Sequence, residues 1–400
     1  MISNARIISN LQKEINQVGA GILLHVKLLN KDELDILIED TNTIIDKFCL
    51  MVDKACENAE EHHVIKTSDH REIYIILPEA PRIAEKLAYS IYSQIQLYVD
   101  SEYSESYFKC SVGSIKFSQD NKLKASKLLS LLGYGMSCSN DQSYYCYDDN
   151  PIDIENLRER NNQLNLLRSA LLENKAKFMY QPVVDRKSGN IEYYECLLRV
   201  FDEENNPISV GPMIEDAESK GLINIVDFTV IEMAVKELVE DKKINLSVNI
   251  SNIGVLNKRL LKKIENLLKK YDVAKRLIIE ITETSLNQDF VNTKKFIDTL
   301  HQYGCRFALD DFGSGFTSFK QLLNLPIDII KIDGSYIRDI LSNNHSRFFV
   351  EALINLAEDL GIKTVAEFVE NGEIAKFLID IKIGAMQGDF FLPASEERIN

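Results

Sequence analysis

The sequence predicts an α/β protein in which a (β/α)8 barrel follows a smaller α/β sandwich. The length supports two or three domains, because 400 residues divide into units of about 150 residues each. The patterning changes across residues 146–151, where a polar segment ends in Pro151. Beyond it, eight short β-rich runs occur, most of them separated by helical segments. Such alternation is typical of a barrel with helical crossovers.

The composition is that of an ordinary globular protein, with 45% hydrophobic and 27% charged residues. No apolar run reaches the roughly 18 residues of a membrane helix, and no signal peptide opens the chain. Seven cysteines without CxxC pairs or zinc-ligand spacing indicate free thiols and a cytoplasmic setting. The net charge of −15 argues against a DNA or RNA polymer as partner, because such binding depends on basic contacts to phosphates.

Residues 1–150 are predicted to alternate between helices and strands, as a sandwich requires. The expected helices are 6–18, 32–59, 81–99 and 123–132, and the expected strands are 21–29, 72–77 and 108–117. A linker helix within 151–175 follows, with Leu157, Leu164 and Leu171 at seven-residue spacing. This helix is either an amphipathic helix packed on its neighbour or a short coiled coil that couples two domains or two protomers.

Residues 176–400 are predicted to form the barrel. The expected strands are 178–184, 191–200, 244–250, 277–282, 306–311, 327–333, 363–367 and 386–392. The expected crossover helices include 228–240, 258–271, 291–303 and 347–360. Eight strands with such crossovers fit a closed barrel better than an open sheet.

Polar residues recur at or near the ends of these strands: Glu195, Asn249, Glu280, Asp310, Asp311, Lys331, Glu367 and Gln387. Any one of them could form a salt bridge or cap a strand end. Five carboxylates at one end of a barrel, however, would repel one another without cations. Carboxylates with an asparagine carbonyl suit Mg²⁺ or Mn²⁺ rather than zinc. We therefore expect a hard-cation site, where two metals would clamp a phosphate, activate a water and stabilise the leaving oxygen.

A glycine-rich segment follows the acidic pair. Gly313-Ser314-Gly315 predicts a mobile loop, and the hydroxyls of Thr317 and Ser318 come directly after it. Glu283 lies three residues beyond Glu280. We expect Glu283 to anchor this loop rather than to bind metal.

These residues resemble the EAL-domain cyclic di-GMP phosphodiesterases, from about Asn174 to Pro393. Glu195-Cys196-Leu197 stands where the family has Glu-Ala-Leu, and Arg199 also matches. Further matching segments are Tyr180-Gln181-Pro182, Asn249-Ile250-Ser251, Glu280-Ile281-Thr282-Glu283, the run 310–315, Lys331-Ile332-Asp333, the run 366–370 and Gln387-Gly388. The resemblance implies a TIM-like barrel whose first strand runs antiparallel, and hydrolysis of cyclic di-GMP to linear pGpG.

The resemblance also implies roles for single residues. One Mg²⁺ or Mn²⁺ would be held by Glu195, Asn249, Glu280 and Asp310. Asp310 would bridge to a second metal, held with Asp311, and Glu367 would serve that metal or its water. The implied catalytic residues are Lys331, which would orient or help deprotonate the water, Glu367 and Glu195. The implied substrate contacts are Gln181, Leu197, Arg199 and Gln387, and the implied supporting residues are Glu283 and Glu370.

The chain departs from the family pattern at positions that hold no metal ligand. The departures are Cys196 for alanine, Phe368 for the usual glycine, Asp389 for an aromatic residue, and Lys382 and Gly384 for a glycine and an aspartate. These changes bear on the rate and on base recognition more than on the chemistry.

Residues 1–150 resemble a diguanylate cyclase (GGDEF) domain that has lost its signature. Asn4-Ala5-Arg6 stands where Asn-Arg-Arg opens that fold, and Ser111-Val112-Gly113 stands at a later Ser-Ile-Gly strand. The signature position holds Asp69-His70-Arg71-Glu72-Ile73, without the glycines that let the backbone approach GTP. Non-carboxylates around 25–29 replace the metal-binding aspartates. We expect this domain to be inactive as a cyclase and regulatory.

Three functions are compatible with the residues. The complete ligand set favours an active phosphodiesterase over a catalytically silent cyclic di-GMP receptor, and over a barrel that acts through protein contacts alone. The resemblance also implies a homodimer, formed through Phe316, the loop after Asp311 and the helix that follows. We expect the setting to be the bacterial cytoplasm, and an upstream sensor or membrane segment outside this chain is compatible with the sequence.

Overall fold

The chain folds into two compact units, Met1–Leu157 and Arg158–Asn400, in a computed structural model. The structure describes residues 4–39, 41–57, 62–67, 71–78, 81–98, 107–118, 123–139, 144–202, 204–283, 285, 289–313 and 319–399. We call Met1–Leu157 the N-terminal unit and Arg158–Asn400 the barrel unit.

The N-terminal unit is a five-stranded sheet with helices on both faces. Its strands are β1 (Gly21–Leu28), β2 (His63–Lys66), β3 (Glu72–Pro78), β4 (Cys110–Phe117) and β5 (Tyr145–Cys146), in the order β2-β3-β1-β4-β5. Its helices are α1 (Asn4–Val18), α2 (Lys31–Leu37), α3 (Thr41–Cys56), α4 (Pro81–Gln96) and α5 (Ala125–Cys138). Alternate residues of β1 face opposite sides: Leu24 packs against α3 and α4, whereas Leu23 packs against α1 and α5.

The helix expected over 32–59 is wrong as a single element. The chain leaves α2 at Ile38, which is buried with an extended backbone, and α3 begins at Thr41. Strands β2 and β5 were not predicted, because they span only four and two residues.

Helix α6 (Ile154–Leu172) connects the sequence of the two units. Its C-terminal half buries Leu164, Leu167 and Leu171 in the core of the barrel unit. This packing agrees with the amphipathic alternative for the linker helix.

The barrel unit is a closed barrel of eight strands, as predicted. The strands are β6 (Lys177–Asp185), β7 (Ile191–Phe201), β9 (Leu246–Asn249), β10 (Leu277–Thr282), β11 (Arg306–Phe312), β12 (Ile329–Ile332), β13 (Lys363–Ala366) and β14 (Ala385–Met386). A further short strand, β8 (Pro207–Ser209), pairs antiparallel with the end of β7 outside the ring. Strand β6 pairs antiparallel with both β14 and β7, which closes the ring and confirms the antiparallel first strand. The other neighbours in the ring pair in parallel.

Helices pack around the barrel. They are α7 (Ile214–Ser219), α8 (Ile223–Glu240), α9 (Asn252–Val255), α10 (Lys258–Lys270), α11 (Phe290–His301), α12 (Phe319–Leu322), α13 (Gly334–Arg338), α14 (Asn344–Leu360) and α15 (Gly372–Asp380), with short 3₁₀ turns at Gly211–Met213 and Ala274–Arg276. None of the helices in the described part of the chain has the length and apolar character needed to cross a lipid bilayer.

The last strand is shorter than the predicted 386–392, so Gln387 follows β14 instead of lying in it. Gly388 has a φ of +156°, and a Cβ at this position would collide with the backbone of Val369. The chain turns there because glycine permits this close approach.

Candidate metal centre

The inward-facing residues of the barrel change from apolar to charged along five strands. One inward layer contains Tyr193, Ile278, Ala308, Ile329 and Val365. Two positions further along the chain in each case lie Glu195, Glu280, Asp310, Lys331 and Glu367. Because strand side chains alternate with a period of two, the charged residues form the next layer toward the C-terminal mouth.

The Lys331 ammonium group lies among four carboxylates. Its Nζ is 3.2 Å from Glu195 Oε2, 2.7 Å from Glu280 Oε2, 3.0 Å from Asp310 Oδ1 and 2.9 Å from Glu367 Oε1. Only 1% of the Lys331 side chain is exposed. Burial alone would disfavour the charged amine, but the four carboxylates raise the Lys331 pKa well above its ordinary value.

The carboxylates compete for this one cation. Burial and the neighbouring Glu195 charge raise the pKa of Glu280 to about 8, and burial raises the pKa of Glu367 well above its ordinary value. Glu195 is buried too, yet Lys331 and the hydrogen bonds it accepts lower its pKa. The centre therefore has more acid than its own ammonium group can balance.

Asp311 reaches this centre through an irregularity in β11. Adjacent residues of a regular strand point to opposite faces. Here the pairing with β12 shifts register between Leu309 and Phe312, and Asp311 has a φ of +52°. The bulge brings the Asp311 carboxylate beside those of Asp310 and Glu367. Burial and the Asp310 charge raise the Asp311 pKa to about 6.

Two groups of carboxylates could each hold a metal ion. Glu195, Glu280 and Asp310 each offer an oxygen within 4.8 Å of the others, and so do Asp310, Asp311 and Glu367. Glu280 Oε1 is buried and has no hydrogen-bond partner among the described residues. If all five carboxylates are ionised, they leave four negative charges against one ammonium group, which two divalent cations would balance. The donor set therefore fits hard cations.

Amide side chains fix the orientation of Glu195. Asn249 Nδ2 donates to Glu195 Oε1 at 2.9 Å, and Gln387 Nε2 donates to Glu195 Oε2 at 2.7 Å. Gln387 Nε2 also lies 2.9 Å from Gln181 Oε1. The predicted substrate residues Gln181 and Gln387 thus lie beside Glu195.

A cavity of about 460 Å³ opens beside the carboxylates. Leu197, Arg199, Asn249, Asp310 and Asp311 line it, together with apolar residues of α7 and α8. The Arg199 guanidinium is half-buried and donates to the Leu198 carbonyl at 3.0 Å. The other two predicted substrate residues, Leu197 and Arg199, therefore face this cavity.

The predicted supporting residues lie further out. Gly313 N donates to Glu283 Oε2 at 3.2 Å, so Glu283 contacts the start of the glycine-rich segment. Glu370 is exposed and pairs with Arg338 at 3.4 Å. Ser314, Gly315, Phe316, Thr317 and Ser318, and Asp69 and His70 of the N-terminal unit, lie outside the described residues.

One buried acid near the centre, Asp227 on α8, was missed in the sequence. It lines the same cavity and is only 2% exposed. A signal was present, because Asp227 shares the helical face of the apolar Ile223, Val230 and Ala234. A carboxylate in such a stripe is unusual in a globular core.

The fold and the carboxylate centre define a TIM-like barrel protein with a cluster of acidic residues at the barrel mouth that could bind a metal ion. Residues 164–394 match the EAL domain family, and the chain belongs to that family. The cyclic di-GMP phosphodiesterase PdeF of Escherichia coli is 33% identical over 237 residues, which are 58% of this chain and 32% of PdeF. The chain spans about a third of the length of the curated relatives it matches.

Solved structures agree with this fold. The PaMucR phosphodiesterase in complex with c-di-GMP is 27% identical, with a TM-score of 0.56 over 58% of this chain and 97% of that one. The S helix-GGDEF-EAL structure of Vibrio cholerae LapD is 19% identical, with a TM-score of 0.53 over 96% of this chain and 92% of that one. The LapD likeness concerns the fold alone.

Proposed function

We propose that the barrel unit hydrolyses cyclic di-GMP to linear pGpG and requires Mg²⁺ or Mn²⁺. The observation that carries this proposal is the pair of carboxylate groups that share Asp310 at the mouth of an EAL barrel. The name of PdeF and the bound c-di-GMP of PaMucR support the choice of substrate.

The proposed ligands are those of the two carboxylate groups, with Asn249 added to the first. Bound there, two divalent cations would neutralise phosphate charge and lower the pKa of an attacking water. The Asn249 amide nitrogen is engaged by Glu195, which leaves its oxygen free to face a cation. Glu367 would hold the second cation or its water.

Lys331 and Arg199 have separate proposed tasks. Lys331 lies among four of the proposed metal ligands, so it would orient the attacking water or help to deprotonate it. Arg199 and Leu197 would contact the nucleotide from the cavity wall. Gln181 and Gln387 would support Glu195 and contact the adjoining part of the nucleotide. Glu283 would support the glycine-rich loop, and Glu370 would support the rim of the barrel mouth.

We propose that residues 1–150 form an inactive, regulatory GGDEF-like domain, joined by 151–175 to an EAL domain at 176–400. The fold likeness to LapD supports this domain order. His25 lies within the β1 segment where the fold would present metal-binding aspartates, and it is buried against Tyr74. We further propose that the chain forms a homodimer through the barrel face beside Gly313, and that it acts in the bacterial cytoplasm, where its seven free cysteines stay reduced.

A pair of matched variants in β7 tests the hydrolysis. Glu195 and Glu192 lie three residues apart in this strand, but Glu192 pairs with Lys363 away from the carboxylate centre. With Mn²⁺ and cyclic di-GMP, we expect pGpG from the unmodified protein and from Glu192→Gln. Glu195→Gln should lose about 1,000-fold in rate, since several kcal/mol of metal-dependent stabilisation are removed.

Chromatography of the nucleotides is the measurement. Replacing Mn²⁺ with Ca²⁺ should inhibit the hydrolysis of cyclic di-GMP, because a site suited to octahedral geometry holds the larger ion poorly. Binding of cyclic di-GMP without turnover in Mn²⁺ would support a silent receptor and contradict the proposed hydrolysis.

A further inference from the structure

Asp227 is a buried carboxylate at the back of the metal centre. It lies on α8 between the buried Val226 and Val230 and is 2% exposed. An ionised carboxylate in such a place costs several kcal/mol unless its oxygens accept hydrogen bonds. Those hydrogen bonds therefore indicate what the residue does.

Both Asp227 oxygens accept hydrogen bonds from one residue. Ser251 N donates to Oδ1 at 3.1 Å, and Ser251 Oγ donates to Oδ2 at 2.7 Å. The same Ser251 Oγ accepts from Gly254 N at 2.9 Å and so caps α9. A Cβ at position 254 would collide with the Asp227 carboxylate, so glycine allows the close packing of these groups.

The segment that Asp227 holds carries a proposed metal ligand. Asn249 ends β9, has an exposed side chain and donates to Glu195. The backbone beyond it is fixed at two points: Ile250 N donates to the Glu280 carbonyl at 3.0 Å, and Ser251 is held by Asp227. Because little packing restrains Asn249 itself, these anchors fix the backbone position from which its amide reaches Glu195.

The cap of α9 does not require Asp227. Ser251 Oγ accepts from Gly254 N whatever stands at position 227. What the carboxylate adds is an acceptor for the Ser251 amide and for the Ser251 hydroxyl proton. An uncharged acceptor such as asparagine satisfies the amide but presents a donor to the hydroxyl oxygen.

We infer that Asp227 is a positioning residue of the proposed metal centre, holding the 249–251 turn so that the Asn249 amide oxygen faces the first cation. This inference rests on the proposed function. Residues that orient metal ligands typically contribute 10–100-fold to metal affinity or activity.

Mn²⁺ affinity of the full chain, measured by calorimetry without nucleotide, tests the inference. We expect Asp227→Ala to raise the Kd for Mn²⁺ about 10-fold or more. Asp227→Asn, which keeps one acceptor, should recover part of this loss. Combining Asp227→Ala with Ser251→Ala should raise the Kd by less than the product of the two single effects, because both variants lose the hydrogen bond from the Ser251 hydroxyl to Asp227.

Thr229→Ala is the matched control on the same helix. Its hydroxyl donates to Ile225 O of α8 itself, so the Mn²⁺ Kd should not change. Circular dichroism and thermal unfolding identify the variants that fold. If Asp227→Ala does not fold, Asp227→Asn and Ser251→Ala test the inference instead, and we expect each to raise the Kd for Mn²⁺ several-fold.

The outcomes separate this inference from the proposed function. An unchanged Mn²⁺ Kd in the folded Asp227 and Ser251 variants would overturn the positioning role alone. Mn²⁺ binding by the unmodified chain without hydrolysis would contradict the phosphodiesterase and leave the positioning role to be decided by the Kd values. Absence of Mn²⁺ binding in the unmodified chain would overturn both.

Discussion

Lys331 balances part of the negative charge at the barrel mouth. It contacts four carboxylates within 3.2 Å and is almost fully buried. Removing one partner of a buried ionic cluster costs about 3–5 kcal/mol, because the remaining charges are left uncompensated. We expect Lys331→Met to unfold at a clearly lower temperature in EDTA, and Mn²⁺ to restore much of the loss. Thermal unfolding with EDTA and with Mn²⁺ is the measurement.

Lys363→Met is the control for this prediction. Lys363 Nζ pairs with Asp185 at 3.0 Å and with Glu192, at the start of β13 rather than at the carboxylate centre. Its loss should destabilise the barrel without a specific recovery in Mn²⁺. Equal Mn²⁺ effects on both variants would argue against cations at the Lys331 centre.

His25 makes the stability of the N-terminal unit depend on pH. Its ring is 5% exposed and neither ring nitrogen has a hydrogen-bond partner among the described residues. Burial lowers the His25 pKa from 6.5 to about 4, although Glu72 at 3.8 Å opposes the shift and Lys27 reinforces it. An unfolded histidine takes up a proton near pH 6.5, while the folded one stays neutral until about pH 4. Its contribution to stability is therefore complete above pH 6.5 and is lost as the pH falls.

We expect His25→Phe to remove this dependence. From pH 7.5 to pH 5, the unmodified protein should lose about 2 kcal/mol of unfolding free energy more than the variant does, at about 1.4 kcal/mol for each pKa unit. Phenylalanine keeps the aromatic contact with Tyr74, whose ring centroid lies 4.8 Å away. Urea unfolding of both proteins at the two pH values measures the difference, and parallel pH profiles would contradict the assignment to His25.

At the scale of elements, the alternation of side chains with a period of two residues along the strands made the barrel and most of its site predictable. Apolar strands that end in charged residues indicated both the ring and the end where the acids meet. Lys331 was expected as a site residue, yet its contact with four acids at once depends on the ring being closed. Pairings of this kind are set by tertiary geometry, which a linear pattern does not contain.

Local backbone irregularities explain what the pattern could not predict. The bulge in β11 turns Asp311 toward Asp310, although an alternating strand would separate them. Gly388 ends β14 early because the chain passes against Val369. Asp227 lies on a helix outside the ring, so a search for acids at strand ends could not find it. The bulge in β11 and the early end of β14 each depend on a neighbour distant in sequence.

At the scale of the whole molecule, the net charge of −15 has two parts. Most acidic side chains among the described residues are at least partly exposed, and charge at the surface favours solubility. Five of the 61 acids, Glu195, Glu280, Asp310, Asp311 and Glu367, are gathered at the barrel mouth. An acidic protein can hold a doubly charged phosphate ligand if cations neutralise such a cluster, so the overall charge does not exclude a nucleotide.

The proposed homodimer can be tested on the barrel surface. Phe348 on α14 is 74% exposed, and its neighbour Phe349 stacks on Tyr336 at 4.2 Å beside Gly313. An exposed aromatic residue at a paired face would be buried by the second copy, and aromatic anchors of this kind contribute strongly to association. We therefore expect Phe348→Glu to shift the protein from dimer to monomer and to leave its Mn²⁺ affinity unchanged. Sedimentation at several protein concentrations measures the shift.

Val291→Glu, on α11 with the same 74% exposure, should leave the dimer intact. A dimer that persists in Phe348→Glu would rule out Phe348 as an anchor of the interface, and a monomeric unmodified chain would rule out the homodimer itself.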